Sequence, residues 1–178
     1  MPIKIVFTDR DGTIGGAGHD SDSKSDFNAV RRVYYVTWQV AYRNLMPASF
    51  LKQLSPASWH PERRWQNTFL AIDDIAGIVG VCSYGPARMA ERAEWGELYS
   101  IYVLPAFQRQ HVGERLLNAA LKELDVTYTN DYVRVLDNNR AAQAFYRRFG
   151  FIETKTILED ATKFGTIREL VMVRKPAQ

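Results

Sequence analysis

Short apolar runs and amphipathic stripes alternate along the chain. Ile3 to Phe7 is apolar and reads as a short strand. Residues 11–26 are rich in Gly, Ser and Asp and carry no hydrophobic period, so a long mobile loop is expected there. Ser25 or Asp26 is placed to cap a helix, because a short polar side chain accepts from the free amides of a first turn. Val30, Val33, Tyr34, Thr37, Trp38 and Ala41 then recur at helical spacing. Pro47 fits the first turn of a second, short helix running to about Leu54. The segment SPASWHPERRWQ has two prolines and turn residues, and predicts irregular backbone.

Three strands are predicted next. Phe69 to Ile72 and Ile78 to Tyr84 are joined through Asp73-Asp74, which suits a hairpin. The loop GPARMAERAEWG leads to a strand from Glu97 to Val103, ended by Pro105. From Val112, the residues Leu116, Leu117, Ala120, Leu121 and Leu124 form a helical stripe. Tyr132 to Leu136 reads as a strand, Arg140 to Arg148 as a helix, and Phe151 to Ile157 and Ile167 to Val173 as two final strands. The order is strand, two helices, three strands, helix, strand, helix, two strands. That is a mixed α/β layer fold with a helix-linked pair of parallel strands in its middle.

A chain of 178 residues suits one domain, from 1 to 178. The net charge of +3 comes without a basic run longer than Arg63-Arg64, which reads as solvated surface. Neither a nucleic-acid nor a membrane partner is expected. The one cysteine, Cys82, lies in the apolar run IVGVCSY and reads as a small buried residue. No Cys/His cluster has zinc spacing, so no metal is expected. MPIKIVFTDRD is too short and too charged for a signal peptide, and no stretch approaches the length of a membrane span. A cytoplasmic protein is the expectation.

Two segments carry chemistry. In GELYSIYVLPAFQRQHVGERLLNAAL a strand runs through a short loop into a helix, whose unpaired first amides and positive dipole end suit a phosphate. One glycine before a helix is equally a plain connection. The second segment, VRVLDNNRAAQAFYRRFGF, sets Asn139, Ala142, Phe145, Tyr146, Gly150 and Phe151 in a fixed frame. Here the chain resembles the GNAT acetyltransferases. Gln108-Arg109-Gln110-His111-Val112-Gly113 is similar to their coenzyme loop, Q/R-x-x-G-x-G/A. Residues 139–151 match their later motif, N-x-x-A-x-x-F-Y-x-x-x-G-F, and WQVAYRNLMPASFLKQLS resembles the first two helices of many bacterial members. The likeness covers most of the chain from about Asp26. It departs at His111, which stands where the pattern has its middle glycine.

The resemblance implies a mostly antiparallel sheet flanked by helices, with a central parallel pair that splays apart. It implies acetyl-CoA as cosubstrate, and direct attack by a primary amine in a ternary complex. The coenzyme would meet the main chain of Ile101, Tyr102 and Val103, the loop residues Gln108, Arg109, Gln110, His111, Val112, Gly113 and Glu114, and Asn139. Tyr146 would assist the departing thiolate, its other reading being a packed aromatic beside Phe145. Glu97, if it faces the cleft, would be the general base; a solvated strand-edge glutamate is the alternative. Trp38, Tyr42, Tyr84, Tyr99 and the loop from Ala87 to Trp95 are placed to recognise an acceptor, while helix packing equally explains Trp38 and Tyr42. The partner would be a small-molecule or peptide amine, and a homodimer is allowed but not required.

Two other readings stand beside this one. DRDGT resembles the first motif of HAD-type phosphatases, with Asp9 as nucleophile and Asp11 as acid/base. Thr8 puts it one residue out of step, and a polar strand end explains it as well. The remaining alternative is a silent acyl-CoA-binding module.

Overall fold

The structure is a computed structural model and describes residues 3–8 and 23–175. The element order is β1 (Lys4–Phe7), α1 (Ser23–Ala41), α2 (Ala48–Leu51), β2 (Thr68–Asp73), β3 (Gly77–Pro86), β4 (Gly96–Val103), α3 (Val112–Thr127), β5 (Asp131–Leu136), α4 (Arg140–Arg147), β6 (Ile152–Thr162) and β7 (Gly165–Arg174). The element order predicted from the sequence holds throughout. Several bounds differ: α2 ends at Leu51 instead of about Leu54, and β6 runs on to Thr162, past the expected end at Ile157. Helix α1 begins at Ser23, so Ser25 and Asp26 sit inside its first turn instead of capping it. Residues 23–26 of the expected loop are therefore helical, and 11–22 lie outside the described residues. Pro47 precedes α2 as its N-cap. The segment expected to be irregular forms two 3₁₀ helices, Pro56–Ser58 and Pro61–Asn67.

Among the described residues, seven strands form one sheet in the order β1-β2-β3-β4-β5-β7-β6. Every neighbouring pair is antiparallel except β4 and β5. That parallel pair stays in register for only three positions, Gly96 with Asp131, Glu97 with Tyr132 and Leu98 with Val133. Beyond them the strands part, although β4 continues to Val103 and β5 to Leu136. On its other side β4 keeps pairing with β3, but the register slips between Ser83–Ser100 and Tyr84–Leu98. Tyr99 is the extra residue of that bulge, which bends the strand where the separation begins. The backbone of residues 99–103 thus turns a free edge toward β5.

Helix α3 buries Val112, Leu116, Leu117, Ala120, Leu121 and Leu124, the stripe expected from the sequence. Each fully buried leucine contributes roughly 1.5–3 kcal/mol. The last turn of α3 presses on the start of β4: a Cβ on Gly96 would lie 2.6 Å from Leu124 and 2.7 Å from Tyr128. Glycine at this point lets the helix lie flat against the strand. A buried ion pair joins Arg174 Nε to Asp131 Oδ1 at 3.1 Å, and pins β7 to the first residue of β5. The narrow end of the splay is held by packing and charge; the wide end is held open by the α3 loop.

Candidate functional site

The gap between β4 and β5 is a cleft of about 620 Å³. It is lined by Ser100 to Val103 of β4, by Val135 and Leu136 of β5, and by Asn139 and Tyr146 at α4. A second hollow at the start of α3 shares Val103, Gln108, Arg109, Gly113 and Phe145 with it and adds His111, Val112, Glu114 and Arg148. One continuous channel therefore runs from the helix start into the splay.

The loop that makes the helix start is backbone-driven. Arg109 and His111 both hold left-handed angles, with φ of 61° and 59°. A side chain in that region costs roughly 1–2 kcal/mol, which is the physical reason a glycine suits the His111 position. His111 is the N-cap of α3 but makes no side-chain cap, so its first amides point outward. Gln108 donates to the Val103 carbonyl at 2.9 Å and ties the loop to the strand end. Gln110 donates to Ala106 at 3.0 Å and its side chain lines neither hollow. A Cβ on Gly113 would meet only Phe145 at 3.8 Å and Val103 at 3.9 Å. The fold itself does not demand glycine there, so the smallness serves whatever enters the channel. Long anionic ligands fit this arrangement: oriented amides, Arg109 and Arg148 at one end, a free strand edge beyond.

Glu114 sits among these cations. Its carboxylate is 2.8 Å from His111 Nδ1 and 3.1 Å from Arg148. The His111 hydrogen bond, helped by the charges of His111 and Arg148, holds it below the usual carboxylate range. His111 itself projects outward, its side chain 76% exposed.

Deeper in the cleft three phenols line its wall, Tyr42, Tyr102 and Tyr146. Tyr42 and Tyr102 hydroxyls lie 3.2 Å apart, and Tyr146 is buried against Phe145 and Phe151. Burial pushes all three upward in pKa, Tyr102 well above its ordinary range. They stay protonated donors at neutral pH. Asn139 accepts from the Ala142 amide at 3.1 Å and caps α4, while still lining the cleft. Gln143, fully buried, donates to the carbonyls of Leu136 and Asp137, both at 3.0 Å, and fixes the turn from β5 into α4.

The expectation that Glu97 faces the cleft is corrected. Its carboxylate is 0% exposed. It accepts from the Tyr132 hydroxyl at 2.6 Å, the Arg88 amide at 2.9 Å and the Arg88 guanidinium at 2.9 Å. The loop between β3 and β4 folds over it, with Met89 buried and Arg88 as the lid. Burial and the Glu97 hydrogen bond push Tyr132 up to about 12. Tyr84 also leaves the acceptor set: it is buried and stacks on Phe69 at 6.0 Å. Trp38, Tyr42 and Tyr99 do line the cleft. The carboxylates that line it are Glu169 and Asp160, from β7 and β6, and Glu169 is bonded at 3.0 Å to Arg134. Arg88, from the loop between Ala87 and Trp95 expected at the acceptor, also lines it, while the sequence reading missed both acids and Arg134, because nothing local marks them.

Asp9 and Asp11 of the phosphatase-like motif lie outside the described residues. Thr8 next to them is buried and donates to the Thr68 carbonyl at 2.9 Å, a strand-end role. Among the described residues no group of three or more His, Cys, Asp or Glu is placed to hold a metal. Burial raises the Cys82 thiol far above its ordinary range, which leaves it inert. No described helix is long and apolar enough to cross a membrane.

Comparison with known proteins agrees with this geometry. Residues 64–153 match the family model of the acetyltransferase (GNAT) domain. An uncharacterised N-acetyltransferase of Bacillus subtilis (strain 168), YuaI, is 27% identical over 149 residues, covering 80% of this chain and 83% of that protein. The PaiA N-acetyltransferase of Thermoplasma acidophilum, solved with coenzyme A, superposes with a TM-score of 0.69 at 18% identity, over 99% of this chain and 100% of that one. YncA of Salmonella typhimurium, solved with acetyl-CoA, gives 0.66 at 16% identity, over 100% and 96%. At such identities the structures speak for the fold, and the family model for the lineage. The chain belongs to the GNAT acetyltransferase family.

Proposed function

We propose that the protein moves an acetyl group from acetyl-CoA to a primary amine by direct attack in a ternary complex. The observation that carries this is the parting of β4 and β5 after Leu98 and Val133, at the foot of a channel that begins on the free amides of α3. The amides of residues 112–114 and the side chains of Arg109 and Arg148 hold the pyrophosphate. The β4 edge from Ile101 to Val103 pairs with the pantetheine amides, and Asn139 adds a polar contact from the other wall. Acetyl-CoA thus lies with its thioester beside Tyr146.

The acceptor reaches the thioester from the face bearing Trp38, Tyr42 and Tyr102. Its ammonium gives a proton to Glu169, directly or through a water, and thence to solvent. The free amine attacks the thioester carbonyl, and the C–N bond forms as the C–S bond breaks. Tyr146 protonates the sulfur and regains its proton from the nitrogen of the collapsing adduct. A thiol near pKa 8.5 needs only such modest help. Glu97 acts as a support for Arg88 in this scheme, since its oxygens are already occupied. We assign the role to one domain spanning residues 1–178, in a cytoplasmic setting, with no metal.

A screen of amines with acetyl-CoA, followed by release of free CoA, tests the proposal. Turnover with at least one amine supports it. Coenzyme binding without turnover for any amine class would favour a silent acyl-CoA-binding module, and no coenzyme binding at millimolar concentration would overturn the assignment.

A further inference from the structure

Tyr99, the bulged residue at the mouth of the cleft, has two guanidinium groups over its ring. Arg64 lies 4.4 Å and Arg88 4.9 Å from the ring centroid. Each contact is favourable by itself, but together they bring two like charges onto one small surface. Among the described residues, of these two only Arg88 has a counterion. Its Nε is bonded to Glu97, whose carboxylate is fully buried and already shared with Tyr132. Glu62, beside Arg63 in the chain, lines the same hollow as Arg64 but is paired with Arg31 at 2.9 Å and His60 at 3.0 Å. Among the described residues no carboxylate lies within ion-pair distance of Arg63 or Arg64. These cations line two hollows of about 440 and 320 Å³ that meet the reaction cleft at Tyr99. The smaller is walled by Tyr34, Trp38, Trp59 and Tyr102. Across the cleft lie two carboxylates, Glu169, which is paired with Arg134, and Asp160.

We infer that the acceptor is a small amino acid whose carboxylate binds Arg64 and Arg88 over Tyr99, while its amine points to the Glu169 side. This rests on the acetyltransferase reading and specifies its substrate class. A bare amine can also reach the Glu169 side, but it brings no anion to the two arginines and so loses the contact that would favour an amino acid. A carboxylate instead supplies the missing counterion, and the guanidinium of Arg88 is already oriented by Glu97. The aromatic walls take the apolar part of the acceptor.

The test is CoA release at saturating acetyl-CoA for the standard amino acids, each beside its primary amide and its decarboxylated amine. The best amino acid should exceed its amide and amine in kcat/KM by about ten- to a hundredfold, the worth of a charge-assisted contact. In Arg64→Gln and Arg88→Gln the preference should shrink at least tenfold, chiefly through KM. Equal or better use of the amides or plain amines by the wild type overturns the inference and leaves the acetyltransferase reading intact. So does a preference that survives in both variants. Calorimetry of acetyl-CoA with the same wild-type preparation separates the two levels: absent binding sinks the parent reading, and this inference with it.

Discussion

The two ends of the channel are built from different material. Around α3 the ligand-facing groups are mostly backbone: the first amides of a helix, the free edge of β4 and the space left by Gly113. Around Tyr99 they are side chains from several separate segments, including Arg64 before β2, Arg88 in a loop and Glu169 on β7. A backbone site needs only a loop of the right shape, and many sequences supply that. A side-chain site is rewritten whenever one residue changes. In the proposed reading the coenzyme end is thus the part that many sequences can build, and the acceptor end the part that single substitutions can rewrite.

The first way to test that division is at the junction, where Tyr146 belongs to both ends. Tyr146→Phe should lower turnover about a hundredfold or more, with coenzyme affinity changed less than about threefold. Steady-state kinetics beside calorimetry separates the two quantities. Turnover at the wild-type rate across pH would reduce Tyr146 to a packing residue.

At the backbone end, Gly113→Leu should spare the fold and obstruct the ligand, because the first carbon of the new side chain meets nothing closer than 3.8 Å. The remaining carbons enter the channel. Coenzyme affinity should fall about tenfold or more, by analogy with overpacking, while the melting temperature of the free protein stays nearly unchanged. A large drop in melting temperature would show that the glycine serves the fold after all.

At the side-chain end, Glu97→Gln removes a charge that Arg88 and Tyr132 both use. The expected cost is about 1–3 kcal/mol in denaturant unfolding, since the buried carboxylate accepts charged and neutral donors at once. The shape of the pH–rate profile should not change. Lost activity restored at high pH, where the amine needs no base, would return Glu97 to the catalytic role that its position in the strand first suggested.

That reversal shows where sequence patterns stop. The order of elements and the stripe on α3 follow from hydrophobic period, because burial writes that period directly. Glu97 sits at the head of a strand, and no period announces that the loop carrying Arg88 and Met89 folds back over it. The far half of β6 escaped for a related reason. Glu159, Asp160 and Ala161 are exposed and Thr162 only partly covered, and they are strand because they pair with residues 165–168 across a tight turn at Lys163-Phe164. Gln143 is a polar residue on a helix, buried because two carbonyls of the preceding turn need a donor. The Arg64–Tyr99–Arg88 arrangement joins residues from three places, and nothing in their neighbours' types hints at it. The site was legible where a local run of residues makes it, and hidden where distant ones meet.

The smallest expected effect concerns the one departure within the backbone end. His111 accepts a left-handed conformation that glycine adopts without strain. His111→Gly relieves roughly 1–2 kcal/mol of that strain, but loses roughly 0.5–1 kcal/mol to the greater freedom of glycine in the unfolded chain. Stability at neutral pH should therefore rise by no more than about 1.5 kcal/mol. The variant also loses the contact that holds Glu114 below its ordinary range. That contact stabilises the fold above the unfolded carboxylate value and fades as pH falls through the lowered one, so the gain should be largest in acid. Coenzyme binding should shift in the other direction. The His111 ring lines the hollow at the start of α3 and donates polar contacts beside the place proposed for the phosphates. Because the imidazole is mostly exposed and already faces Glu114, the benefit should be only a few-fold, and screened by salt. Calorimetry of acetyl-CoA with both proteins at low and high salt should show wild type binding slightly more tightly at low salt and the difference closing at high salt. Tighter binding by the variant at both salt concentrations would mean that the side chain obstructs the phosphate approach, and that the loop is strained by His111 at both the fold and the ligand.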